Sequence, residues 1–144
     1  MREIKFRAWD KRKKEMNAQV TGLEFTWREG KLQYIIGLSQ DSKMQDCEFE
    51  FKVKDVELMQ FIGLKDKNGK EIYEGDIIKW ISVGEEGGNF EDIGVETDMG
   101  NHEVVFKNGK FSTTKPDIPI GHLIKKIEVI GNKFENPELL EDKK

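Results

Sequence analysis

Apolar and polar residues alternate along much of this chain with the two-residue period of β-strands. Glu3–Trp9 places Ile4, Phe6 and Ala8 on one face and Lys5, Arg7 and Trp9 on the other. Asp10–Lys14 has no apolar residue and predicts a turn into a partner strand near Met16–Val20. Leu23–Trp27 and Lys31–Ile36 form a second pair around Arg28-Glu29-Gly30. Gly37–Asp46 reads as a polar loop. Glu48–Lys54 alternates again, with Phe49, Phe51 and Val53 inward. Two readings compete over Asp55–Phe61. A short helical turn can start at Asp55 and align Val56, Met59 and Ile62, whereas a strand puts Met59 and Phe61 on one face.

The densest local order lies at Ile62–Trp80, "IGLKDKNGKEIYEGDIIKW". Leu64 and Ile72 bracket Asn68-Gly69, a dipeptide that tolerates the left-handed backbone of tight hairpins. They should face each other across that hairpin, with Gly69 at positive φ. Gly75-Asp76 makes a second turn. The consecutive Ile77 and Ile78 predict a strand buried on both faces. Asn108-Gly109 repeats the hairpin signal between Val104–Phe106 and Lys110-Phe111. A last strand is expected at Leu123–Ile130, ended by Gly131-Asn132. Asn136-Pro137 is placed to start one helical turn, since proline is tolerated at the first helical position.

Short strands separated by turns predict a mainly β, antiparallel fold. Residues 1–54 are expected to form an antiparallel meander. Residues 55–144 are expected to form a small SH3-like β-barrel, with at most one or two short helical turns in the chain.

Composition sharpens this picture. Apolar and charged residues each make up 36% of the 144 residues, so a thin core and a heavily solvated surface are expected. Nine Phe and three Trp compensate, because aromatics bury large areas. No apolar run approaches the ~20 residues of a membrane span. No signal-peptide pattern follows Met1, and Cys47 is the single cysteine. A reducing cytoplasm, without an intramolecular disulfide, is the expectation. The net charge of -4 is unevenly spread: seven basic groups stand in residues 1–14, and six acids without a base in residues 84–98. The acidic stretch reads as a solvated loop.

Candidate chemistry is sparse. A calcium loop needs oxygen ligands at its first, third and fifth positions, Gly at the sixth and Glu at the twelfth. Counted from Asp66, those last three positions hold Lys70, Glu71 and Ile77, so a turn is the better reading. His102-Glu103 lacks the second histidine of a zinc helix, Phe106 standing in its place, and His122 has no partner set. Cys47 reads as a small buried hydrophobe, and Glu91-Asp92 as part of a solvated loop. No nucleophile elbow, Walker loop or dinucleotide fingerprint occurs. The sequence therefore predicts no enzyme, cofactor or metal. Arg7, Trp9, Lys11, Arg12, Lys13 and Lys14 form the best candidate binding face, since cations attract phosphate and an aromatic stacks on bases.

Three segments carry a resemblance: "REIKFRAWDK", "VELMQFIGLKDKNGKEIYEGDIIKW" and "IEVIGNKFENPELL". Their residues and order resemble the YopX family of phage and prophage proteins. Leu64, Asp66, Asn68, Gly69, Ile72, Tyr73, Gly75 and Asp76 carry its central motif, in a structural role. Residues 20–50 and 82–115 are its variable parts. The family's biochemical activity is uncharacterised, so the resemblance implies a phage-related origin and a β-rich fold but no reaction and no catalytic residues. The expectation is a non-catalytic accessory protein that binds another protein or its own copy. The alternative is a nucleic-acid-binding module using the basic strand and turn.

Overall fold

The computed structural model describes residues 1–17, 20–38, 48–80, 100–114, 117, 119–122 and 127–141. The acidic 84–98 segment, Cys47, the loop residues 39–46 and the start of the expected last strand at 123–126 lie outside them.

The chain is mainly β and antiparallel, as its alternation predicts. It forms two compact units, Met1–Phe61 and Ile62–Lys144. The first unit holds β1 (Phe6–Asp10), β2 (Glu15–Asn17), β3 (Val20–Phe25), β4 (Leu32–Leu38), β5 (Glu48–Lys52) and the start of β6 (Val56–Lys65). β1 lies between β2 and β6, pairing Trp9 with both Met16 and Glu57. β3, β4 and β5 make a three-stranded meander with Leu23, Ile35 and Phe51 in register. Ala8, Ile35 and Val56 form the buried centre, joined by Val20, Leu23, Leu32, Phe51 and Leu58, so the two sheets share one core.

Several expectations for this unit are corrected. Ile4 precedes β1 and is 64% exposed, while Trp9, expected on the polar face, is only 9% exposed. Successive side chains point to opposite faces, so the burial of both Ala8 and Trp9 means that β1 is covered on both faces at this end. Val53 does not extend β5. It opens a 3-10 turn, Val53–Asp55, and is 40% exposed. That turn ends before residue 56, and 56–61 adopt the strand rather than the helical alternative, with Met59 and Phe61 both buried. Trp27 falls in the turn after β3 rather than within the strand.

The second unit takes the end of β6 with β7 (Glu71–Tyr73), β8 (Asp76–Trp80), β9 (Asn101–Lys107), β10 (Lys110–Thr113) and β11 (Ile127–Asn132). Its four-stranded sheet runs β10-β9-β8-β11 and curls as a half-barrel. β11 carries an irregularity between Val129 and Gly131. Ile62, Ile72, Ile78, Trp80, Val104, Ile120, Ile127 and Val129 form the core, with Leu64 and Phe111 packed against it. Ile77 and Ile78 are both fully buried, which matches two-sided burial. Short 3-10 turns, Ile120–His122 and Pro137–Leu140, complete this unit, and Pro137 stands at the start of its turn as expected.

Candidate functional site

The motif residues gather around two turns of the second unit. The N–H of Asp66 donates to the carbonyl of Lys70 (2.8 Å) and the N–H of Gly69 to the carbonyl of Asp66 (3.0 Å). This register carried back along the strands sets Leu64 level with Ile72. Gly69 has φ +82°, the left-handed backbone that the Asn-Gly pair predicts.

Asp66 is the organiser of this turn, at 6% exposure. Its Oδ1 accepts the N–H groups of Asn68 (2.8 Å) and Lys70 (2.9 Å). Its Oδ2 accepts the N–H of Val129 on β11 (3.0 Å). Lys67 N–H reaches the Ile127 carbonyl (3.3 Å), and the Asn68 amide donates to Glu128 Oε1 (3.3 Å). The hairpin tip is thus fastened to β11 by one carboxylate and its flanks. Desolvation pushes the Asp66 pKa up, but the donors at Val129, Lys70 and Asn68, with the Lys70 charge, hold it below the ordinary aspartate value.

Asp76 repeats the device at the next turn. It is buried, and its Oδ2 accepts the Tyr73 N–H (2.8 Å). Gly75, at φ +77°, donates its N–H to Val104 (2.8 Å) and accepts from Lys133 (2.9 Å). Tyr73 is buried with its hydroxyl donating to Glu71 (3.0 Å). These contacts hold β-turns to neighbouring strands, and both Asp66 oxygens already accept backbone donors. His102 is buried on β9 with its ring 5.3 Å from that of Trp80. Among the described residues, no three or more His, Cys, Asp or Glu side chains gather into a metal-binding group.

The basic face is only partly a surface. Trp9 is buried and Arg7 half-buried, whereas Lys11, Arg12, Lys13 and Lys14 are exposed on the β1–β2 turn. Asp10 Oδ1 shapes that turn by accepting the N–H groups of Arg12 (2.8 Å) and Lys13 (3.1 Å). Lys11 pairs with Glu57 at 2.9 Å, Lys13 with Glu15 at 3.6 Å, and the Arg12 guanidinium lies 4.0 Å from Asp10. Carboxylates therefore neutralise much of the turn's charge.

The exposed apolar residues lie elsewhere. Trp27 is 91% exposed and Phe25 53% exposed, at the β3–β4 hairpin of the first unit. Phe25 is level with Leu32 across the strands, and Tyr34 with Lys52. This register carries the end of β5, and so Val53, to the same end of the meander. Alternation assigns Val53 inward and places Trp27 at the end of a strand, whereas the 3-10 turn and the hairpin leave both exposed.

A family model described as "YopX protein" matches residues 5–141. The chain belongs to the YopX family. Protein EF1440 from Enterococcus faecalis has a similar structure, with TM-score 0.66 and 28% identity over 98% of this chain and 100% of that one. The structure of YopX from Bacillus subtilis is similar in fold, with TM-score 0.61 and 24% identity over 98% and 100% of the two chains. No curated protein matches the chain. Among the described residues, no helix is long and apolar enough to cross a membrane.

Proposed function

We propose that this YopX-family chain is a non-catalytic accessory protein of phage or prophage origin that acts in the host cytoplasm by binding another protein or its own copy. The observation that carries this reading is Trp27, 91% exposed at the β3–β4 hairpin whose first strand ends in the 53% exposed Phe25. A tryptophan left in water at a hairpin tip has the size and amphipathic character of an interface anchor. Nucleic-acid binding through Lys11–Lys14 is disfavoured, because Glu57, Glu15 and Asp10 stand within ion-pairing distance of three of these cations.

Trp27→Ala in the full chain tests the reading. Binding to a partner captured from phage-infected extract should weaken by about 2 kcal/mol, with a shallow salt dependence. For self-association, light scattering across a concentration series should show the variant staying smaller than the parent. Tight, salt-steep binding to a duplex or single strand, lost on charge reversal of Lys11–Lys14, would favour the nucleic-acid module instead.

A further inference from the structure

The two Asn-Gly pairs are chemically identical but structurally unlike. A side-chain amide followed by glycine is open to intramolecular attack, since glycine offers no Cβ to hinder the approach of its nitrogen. The Gly nitrogen gives up its proton and attacks Asn Cγ, forming a C–N bond and releasing ammonia. Water then opens the cyclic imide at either carbonyl, leaving aspartate or isoaspartate. No oxidant or second reagent is required.

At Asn68-Gly69 every participant is held. The Gly69 N–H donates to Asp66, the Asn68 N–H to Asp66 Oδ1, and the Asn68 amide to Glu128. The Asp66 carboxylate also disfavours a deprotonated nitrogen beside it. At Asn108-Gly109 the two residues alone connect Lys107 to Lys110, which are paired across β9 and β10. Both have positive φ, 52° and 75°, and both are exposed. Among the described residues no hydrogen bond holds the Asn108 side chain or the Gly109 N–H. The flanking ammonium groups share one carboxylate, Asp117, at 3.9 and 3.7 Å, so the turn keeps a net positive environment that favours loss of the Gly109 proton.

We infer that Asn108 is a site of spontaneous deamidation in the folded protein and that Asn68 is protected. The product places a new carboxylate between Lys107 and Lys110. In its isoaspartate form it also adds a backbone carbon to a two-residue turn, which has no room for one within the β9–β10 register. The strain falls on the Phe106–Phe111 pair next to the turn, whose rings lie 5.1 Å apart.

Peptide mapping by mass spectrometry of the full chain, aged at mildly alkaline pH, tests this. The amide-to-acid mass change should appear at Asn108. At Asn68, where three hydrogen bonds must be given up, it should lag by roughly tenfold or more. In urea the two rates should converge, which assigns the difference to the fold. Asn108→Gln should abolish the change at that turn. Glu128→Ala, which releases one tether of the exposed Asn68 side chain, should speed the reaction at Asn68. Equal rates at the two sites in the folded chain, no conversion at Asn108, or a gap that persists in urea would each overturn the inference.

Discussion

The Asn68-Gly69 and Asn108-Gly109 hairpins start from the same dipeptide and end in different states. The first is a three-residue loop whose tip is fastened to β11 through Asp66 and Asn68. The second is a two-residue loop, exposed throughout. Glycine supplies the backbone freedom in both, and Asp66 supplies the difference. Turn chemistry therefore fixes where the chain reverses, while a single buried carboxylate decides whether the reversal is also a tertiary joint.

Removing that carboxylate should produce the largest effect. Asp66→Ala leaves the N–H groups of Asn68, Lys70 and Val129 without their acceptor. The loss is expected to be about 2–3 kcal/mol, since the buried Val129 donor left unpaired costs on the order of 1–3 kcal/mol and the two part-buried donors at the turn add less. Urea unfolding measures it. Asn108→Ala, by contrast, removes no side-chain hydrogen bond among the described residues and should lose about 1 kcal/mol, from the left-handed backbone alone. Similar losses at the two turns would break the comparison.

The glycines sharpen it from the other side. A Cβ built on Gly69 or Gly109 meets nothing within 4 Å, yet φ is +82° and +75°. Any cost is thus one of backbone conformation. Gly69→Val and Gly109→Val should each lose roughly 1–2 kcal/mol, despite the unequal tethering of their turns. Thermal or urea unfolding of the pair checks this, and a large gap between them would mean that the tether rather than φ sets the cost. Gly131 makes a useful contrast. Its φ is not left-handed, but a Cβ there would clash with Asn136 Oδ1, so Gly131→Ala must displace the side chain that accepts the Asn132 N–H.

That contrast marks how much was legible. Asn-Gly and Ile77-Ile78 state their roles locally, through allowed backbone and continuous apolarity, and the structure places them accordingly. The need for Gly131 arises from a side chain five residues later, which no period encodes. Trp9 departs from alternation for a related reason. Alternation presumes one wet face, whereas β1 buries Ala8 and Trp9 on opposite faces, and what covers a face is set by tertiary packing that no local period encodes. Val53 continues the alternation of β5 although the backbone has already turned there, so alternation assigns it inward while the 3-10 turn leaves it 40% exposed. The motif residues were visible as a spacing. The fastening of Asp66 to Val129, across 63 residues, was not.

Acid should probe the same joint more gently. The folded Asp66 pKa lies below its ordinary value, so its carboxylate stabilises the fold fully above the unfolded-state pKa of about 4. That contribution fades as pH falls through the lower folded value. Asp66→Asn, which keeps one acceptor oxygen, should be less stable than the parent at neutral pH. The gap in urea midpoint should narrow below about pH 4. A gap that stays constant to strongly acidic pH would show that geometry, not charge, carries the tether.

The smallest effect is expected at a third turn, where neither glycine nor asparagine fills the left-handed position. Lys14 has φ +56°, close to the +52° of Asn108, and its N–H closes the turn by donating to Asp10 (2.8 Å). A long side chain is strained in this region, whereas asparagine tolerates it and glycine has no Cβ to clash. Lys14→Gly should therefore gain a little stability, about 0.5–1 kcal/mol, offset in part by the freedom glycine adds to the unfolded chain. The matching change at the exposed hairpin, Asn108→Gly, should be nearly neutral, within about 0.5 kcal/mol. Lys14 lies in the basic turn, so the substitution also removes one cation without touching the Lys11–Glu57 or Lys13–Glu15 pair. Urea midpoints at low and high salt separate the two contributions: relief of backbone strain is independent of ionic strength, whereas relief of like-charge crowding shrinks as salt screens it. A loss of stability at Lys14→Gly under both conditions would mean that the lysine stem, rather than its backbone, is what the turn requires.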